Sequence, residues 1–318
     1  MITFPPDYLS VDDLTAAQLI GLLDLADELK AERASHHAEG TSAVRDDLAG
    51  RTVAMIFEKP STRTRVSFQV AVTELGGDPL PLSSAELQLG RGETIGDTGA
   101  VLGRYVHAIV VRTFGQERIV ALAQAADVPV VNALTDLEHP CQALADLQAF
   151  REAHGSFEGR TLTYVGDGNN VANSLLLAGG KVGLSVRVAH PEGYAPDTTV
   201  VARAEQLAAD TGAQIVVTTD PVAAVAGADA VYADVWASMG QEGEAEERAA
   251  LFAPFQVTSE LMSHAADGAI FLHCLPAHRE EEVTAEVIDG PTSRVFDQAE
   301  NRLHVQKALL ATLLRRDG

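Results

Sequence analysis

Short apolar runs rich in Val, Ile, Leu or Phe recur along the chain, with longer stretches of helical composition between them. This alternation constrains the fold more than any other feature. Parallel strands can be joined only through crossovers, and crossover helices must cover the faces of the sheet they connect. In the first half the runs are 52–57, 108–112 and 128–131; in the second they are 161–165, 185–189, 214–218, 230–233 and 269–273. Each is nearly continuous in apolar character, so burial on both faces is expected. A chain of 318 residues has room for two domains, each with its own core. The amphipathic stretch 140–152 is followed by His154-Gly155-Ser156 and a new strand and helix series from Thr161, which sets a domain boundary. The expected fold is α/β: two doubly wound domains, residues 1–152 and 153–302, each a mainly parallel sheet flanked by helices. Segment 299–316 carries Leu303, Leu309, Leu310, Leu313 and Leu314 at near-helical spacing, so a C-terminal helix over 303–318 is expected to pack back on the first domain.

Charge narrows the functions open to such a chain. A net charge of −22 repels phosphate backbones and excludes a broad nucleic-acid surface. Lysine occurs only at Lys30, Lys59, Lys181 and Lys307, so any anion must be met by locally placed arginines. The acidic, lysine-poor composition fits either a high-salt habitat or GC-rich coding. No apolar run approaches the roughly 18 to 20 residues needed to span a bilayer. With Asp7, Asp12 and Asp13, the N-terminus has no basic-then-apolar signal pattern. The expected location is the cytoplasm, with Cys141 and Cys274 as free thiols.

The chemistry-bearing motifs cluster where the apolar runs end. Run 52–57 leads into Glu58-Lys59-Pro60-Ser61-Thr62-Arg63-Thr64-Arg65, after which Val66, Phe68, Val70 and Val72 are expected to continue a buried segment. A polar turn between a strand and a helix start presents backbone N–H groups and the helix dipole to an anion. Ser61, Thr62 and Thr64 add hydroxyls and Arg63 a bidentate grip; the plainer alternative is a serine cap with surface arginines. Arg112 closes run 108–112 at the sheet edge where ligands sit, or serves only structure there. In Glu138-His139-Pro140-Cys141-Gln142 the proline starts a helix, leaving His139 at its N-terminal edge with Gln142 one turn on. A neutral imidazole there suits polarising a carbonyl; an ordinary surface histidine is the alternative. Gly166-Asp167-Gly168-Asn169-Asn170 opens a helix, but Ala172 and Asn173 break the dinucleotide pattern, so the turn suits something smaller than NAD. Asp234-Val235-Trp236-Ala237-Ser238-Met239-Gly240 puts an acid, fit to pair with an ammonium group, ahead of a polar stretch 241–248 that reads as a mobile surface loop. Phe271-Leu272-His273-Cys274-Leu275-Pro276-Ala277-His278-Arg279 places a thiol at a strand end. His278 hints at a metal, yet two cysteines and no second cluster argue that none is bound.

Taken together, Ser-Thr-Arg-Thr-Arg, His-Pro-x-Gln and His-Cys-Leu-Pro, in this order along the whole chain, resemble the carbamoyltransferase superfamily, and Asp-x-x-x-Ser-Met-Gly its ornithine branch. The resemblance implies that the first domain binds carbamoyl phosphate and the second the amine acceptor. It further implies an active site in the interdomain cleft, often shared between subunits of a homotrimer or an assembly of trimers, and no cofactor. By position, Ser61, Thr62, Arg63, Thr64, Arg112, His139, Gln142, Cys274, Leu275 and Arg302 resemble the carbamoyl phosphate site. Gln88 matches a glutamine that reaches a neighbouring subunit's site, and Asn170, Asp234, Ser238 and Met239 resemble the ornithine site. The implied reaction joins the carbamoyl group to the δ-amine of ornithine, a step of arginine metabolism. Arg112 and His139 would stabilise the oxyanion, while Cys274 and Asp234 would handle the amine proton. Aspartate would need a cationic clamp that Asp234 does not offer; putrescine or an N-acylated ornithine is the alternative acceptor. A silent relative, or a nucleotide module built on 166–170, is the competing reading from another class.

Overall fold

The computed structural model describes residues 4–83, 92–237 and 245–315, apart from the side chains of 245–247. Its contacts divide the chain into two compact units, Met1–Ala145 with Glu300–Gly318, and Asp146–Ala299.

The first unit opens with helix α1 (Ala16–Glu39), which Thr15 caps by accepting from the Gln18 N–H and which ends where Gly40 turns left-handed at φ 68°. There follow β1 (Thr52–Phe57), α2 (Thr62–Glu74), β2 (Asp78–Ser83), α3 (Ile95–Leu102), β3 (Ala108–Arg112), α4 (Gln116–Ala125) and β4 (Val130–Leu134). The strands pair in the order β2-β1-β3-β4, every pairing parallel. Ala54, Ile56, Ile109, Val111 and Val130 form its core with Ile119 and Leu122 of α4. The unit division falls inside α5 (Pro140–His154), and the chain returns to the first unit at Glu300.

Two expectations need correction here. Strand β2 is not among the expected runs; it carries Pro79 and Pro81 and lies at the sheet edge, where a missing N–H costs no ladder bond. The positions 66, 68, 70 and 72 are not one buried face, since α2 is a helix: Phe68 and Val72 are fully buried but Val66 is 51% exposed. Burial instead follows Thr64, Phe68, Ala71 and Val72, the helical spacing.

The second unit contains β5 (Thr161–Val165), α6 (Asn170–Val182), β6 (Ser185–Ala189), α7 (Thr198–Thr211), β7 (Ile215–Thr218), α8 (Pro221–Val225), β8 (Ala230–Ala233), α9 (Ala245–Phe252), α10 (Ser259–Met262), β9 (Ile270–His273) and α11 (Ala285–Ile288), and α12 (Val295–Leu313) starts within it. The strand order is β7-β6-β5-β8-β9, again all parallel. Residues 245–248 of the expected mobile loop belong to α9, and Arg248 is 4% exposed, so that part of the expectation is overturned. Residues 241–244 lie outside the described residues.

Each sheet has one place where the winding direction reverses, between β1 and β3 in the first and between β5 and β8 in the second. Crossovers leave those carboxyl ends in opposite directions, opening a crevice that suits a ligand. The motifs at 58–65 and Arg112 flank the first reversal, and those at 166–170 and 234 flank the second.

Candidate active site

In the first unit Ser61 is the extended N-cap of α2, with no hydrogen bond from its hydroxyl into the first turn. The backbone donors at the start of this 13-residue helix are therefore not satisfied by their own cap, the usual setting for an anion. Thr62 and Arg63 are exposed, whereas Thr64 is buried and accepts a hydrogen bond from Arg302 Nη2. Arg112 ends β3 half-buried. His139 is buried just ahead of α5, and its pKa is held well below the ordinary imidazole value by burial, then by the charges of Arg302 and Arg112. The ring is thus neutral at neutral pH and can donate to a carbonyl oxygen without being a strong acid. Gln142, fully buried, follows on the first turn of α5, its N–H bonded to the His139 carbonyl at 3.0 Å. Thr64, Arg112, His139 and Arg302 are thus brought together from four distant stretches of sequence. Arg63 stands at the surface beside them in sequence, and Gln88 lies outside the described residues. Cys141 is buried, its thiol pushed up to about 12 by burial, which makes it inert.

In the second unit the turn 166–169 is forced tight: a Cβ on Gly168 would fall 2.2 Å from the Pro196 nitrogen. Asn169 caps α6, its Oδ1 accepting from the Val171 and Ala172 N–H groups at 2.9 and 3.3 Å. That leaves its Nδ2 to donate to Asp234 Oδ2 at 2.8 Å. Asp234, just past β8, accepts on its other oxygen from the Val235 N–H at 2.8 Å and from Cys274 Sγ at 3.0 Å. Asn170, half-buried, is the first residue of α6. Leu275 sits at φ 56°, left-handed and uncommon for a branched residue. Its N–H donates to His273 Nδ1 at 2.9 Å, so in the neutral ring the proton is on Nε2, which donates to Glu282 Oε1 at 3.2 Å. That same oxygen accepts from the His278 N–H at 2.6 Å. Ser238 and Met239 lie outside the described residues.

Several groups around the site were not named by motif reading. Asn169 was visible only as part of a turn, although an asparagine ahead of a helix is a capping signal. His273 and Glu282, both fully buried, fix the Cys274-Leu275 segment from behind. Arg248 lies between the rings of Tyr194 and Phe252, at 4.7 and 5.1 Å, and donates to Asp167 and to the Trp236 carbonyl. It thereby ties the 166–169 turn to the stretch after Asp234, and no local pattern announces it. Asp234, His273 and Cys274 are close enough to share a metal ion. Both His273 nitrogens and the Cys274 thiol are, however, engaged in the hydrogen bonds just described, so a metal would have to displace them.

Known proteins resemble the chain over nearly its whole length. Residues 6–152 match the aspartate/ornithine carbamoyltransferase carbamoyl-P binding domain, and residues 158–313 match the Asp/Orn binding domain of the same family. The chain is 58% identical over 307 residues to an ornithine carbamoyltransferase of Parafrankia sp. (strain EAN1pec), covering 96% of this chain and 95% of the relative. It is 51% identical over 308 residues to that of Bacillus subtilis (strain 168), covering 97% and 93%. Among solved structures, the ornithine carbamoyltransferase from Pyrococcus furiosus superposes with a TM-score of 0.92 at 52% identity, covering 98% of each chain. The enzyme from Thermus thermophilus gives 0.87 at 45% identity, covering 98% of this chain and all of that one. With both family domains matched over nearly its whole length, the chain belongs to the aspartate/ornithine carbamoyltransferase family.

Proposed function

We propose that this chain is an ornithine carbamoyltransferase whose first unit grips carbamoyl phosphate and whose second unit holds L-ornithine. It transfers the carbamoyl group of carbamoyl phosphate to the δ-amine of ornithine, giving citrulline and phosphate. The observation that carries the choice of acceptor is the Asp234 to Cys274 pair at the ends of β8 and β9. An acid at that edge attracts the ammonium of an amino acid and repels a second side-chain carboxylate.

The residues then divide the work. The start of α2, with Ser61, Thr62, Arg63 and Thr64, binds the phosphate. Arg112, His139, Gln142 and Arg302 bind the carbamoyl end, joined by Cys274 and Leu275. Gln88 completes the site from a neighbouring subunit. Asn170, Asp234, Ser238 and Met239 bind ornithine. The neutral δ-amine attacks the carbamoyl carbon, negative charge gathers on the carbonyl oxygen facing Arg112 and His139, and the carbon–oxygen bond to phosphorus breaks with its electrons leaving on phosphate. Before attack the δ-ammonium gives up one proton toward Cys274 and Asp234, whose mutual hydrogen bond offers a ready path, and the proton released as the new C–N bond forms leaves with the phosphate. One oxyanion donor is worth ~2.7–4 kcal/mol. We place the enzyme in the cytoplasm, in arginine metabolism, as a homotrimer or assembly of trimers. Two free cysteines suit a reducing compartment, no helix among the described residues is long and apolar enough to cross a membrane, and the family resemblance supports the trimer.

A product assay with carbamoyl phosphate and a panel of ornithine, N-acetylornithine, putrescine and aspartate tests the reading. Citrulline from ornithine, with little product from the others, is the expected result. Carbamoyl-aspartate, or no product, sinks it.

A further inference from the structure

Strands β1 and β3 run in register with Phe57 opposite Arg112, and the ladder takes one further step where the Glu58 N–H donates to the Arg112 carbonyl at 3.0 Å. Past that step β1 gives way to the turn that leads to Ser61, β3 to the stretch before α4, and β4 to the stretch before His139. Strand pairing no longer fixes these segments, so side chains must.

Glu58 does so from a nearly buried position, its side chain 8% exposed. One oxygen accepts from the Thr113 hydroxyl and the other from Arg118 Nη2 at 2.6 Å. Arg118 Nε also donates to Thr113 Oγ1 at 3.1 Å, so three side chains close a ring in which each touches the other two. Lys59 adds a second tie, with its Nζ 2.7 Å from Asp136 Oδ1 and 4.4 Å over the Phe114 ring. Main-chain bonds reinforce it: the Thr113 N–H donates to the Leu134 carbonyl at 3.0 Å, and the Asp136 N–H to the Phe114 carbonyl at 2.8 Å. Segments 58–59, 113–114 and 134–136 are thus laced together directly behind the residues assigned to carbamoyl phosphate. Glu58 itself cannot be a phosphate ligand, since its charge repels one, and the Arg118 charge is neutralised where it stands.

We infer that Glu58 is a positioning residue of the anion site: by holding Thr113 and Arg118 it fixes the strand ends from which Arg112 and the Ser61–Thr64 turn project. It governs the use of carbamoyl phosphate without touching it. The inference rests on the carbamoyl phosphate site proposed above.

Steady-state kinetics of Glu58→Gln, Thr113→Val, Thr113→Ser and the Glu58→Gln/Thr113→Val double variant, read for each substrate with thermal melting alongside, test it. Displacing a binding group by a fraction of an ångström is costly, so Glu58→Gln is expected to lose ~10-fold or more in kcat/KM for carbamoyl phosphate while the KM for ornithine stays within about 2-fold. Thr113→Val should act alike, the double variant should be little worse than either single, and Thr113→Ser, which keeps the hydroxyl, should restore most of the loss. Ordinary carbamoyl phosphate constants in a folded Glu58→Gln overturn the inference. So does a lower KM, the signature of a carboxylate acting only by repelling phosphate. An equal loss for both substrates with a lowered melting temperature also overturns it, by making the role purely structural. If Glu58→Gln does not fold, the contrast between Thr113→Val and Thr113→Ser decides by the same readout. Arg112→Ala serves as control: if it leaves carbamoyl phosphate use intact the proposed site is wrong, whereas a defective Arg112→Ala beside a normal Glu58→Gln refutes only the role of Glu58.

Discussion

The two half-sites are built on opposite electrostatic plans. In the first unit burial, and then the charges of Arg302 and Arg112, keep the His139 ring neutral, so positive charge gathers where a doubly charged anion would fit. In the second unit the hydrogen bonds of Asn169 and Cys274 meet on the two oxygens of Asp234, backed by the His273 to Glu282 pair. One half gathers positive charge about a neutral ring, and the other offers a single acid and a thiol already joined by a hydrogen bond. Ligands should therefore affect them differently: an anion gains from the positive charge of the first, while an acceptor must compete with bonds already made in the second.

Removing a charge from the first half should have the largest effect. Arg112→Ala is expected to lower kcat by ~10²–10³-fold, the usual cost of one oxyanion donor, in a carbamoyl transfer assay. A loss confined to the ornithine KM would break the comparison by moving Arg112 to the other half. Next, Cys274→Ala should reduce turnover by ~10²-fold, in the range of a proton-transfer group, while inorganic phosphate binding followed by calorimetry stays intact. If phosphate binding disappears instead, the thiol belongs to the anion side.

A third test concerns Glu138, buried beside His139, which accepts from the Val11 N–H at 3.0 Å. Burial raises its pKa from 4.5 to about 7, the Ser10 and Val11 hydrogen bonds opposing and Asp13 and Asp12 adding to the rise. The folded state then holds this proton more tightly than the unfolded one. Its contribution is full below about pH 4.5 and is lost as pH rises through 7, amounting to about 3 kcal/mol over that window. Depression of the His139 pKa acts in the reverse sense, favouring the fold as pH rises toward 6.5. The informative quantity is therefore the difference from Glu138→Gln, which should gain on the wild type between pH 5 and pH 8 by denaturant titration at each pH. A constant difference across that range would show that Glu138 does not load the first unit with unfavourable charge. The smallest effect is that of salt. Raising ionic strength from about 0.05 to 0.5 M should increase the carbamoyl phosphate KM a few-fold, because Arg63 is exposed and screened, and the ornithine KM less. Equal responses would erase the contrast.

Much of this was legible in the chain. The strand runs, Arg112 at a strand end and the turn at Ser61–Thr64 are local patterns, and parallel topology then places them on one sheet edge. What escaped reading shows why. Strand β2 was missed; it carries Pro79 and Pro81, which are tolerated there because it is an edge strand. Val66 looked buried because alternation was read through a helix, where the period is 3.6. Glu58 and Arg118 are 60 positions apart, and Arg248 is 81 from Asp167, separations across which no periodicity carries information.

By itself, then, the sequence determined the class of fold and the strand ends and helix starts on which the candidate site residues sit, because strand and helix periods and capping residues act within a few positions. Only the tertiary structure decided which protonation states and tautomers those groups take. The neutral ring of His139, the Nδ1 acceptor of His273 and the thiol held by Asp234 each depend on burial and on partners brought from distant strands. Charge and hydrogen bonding act through space, and folding alone sets those distances.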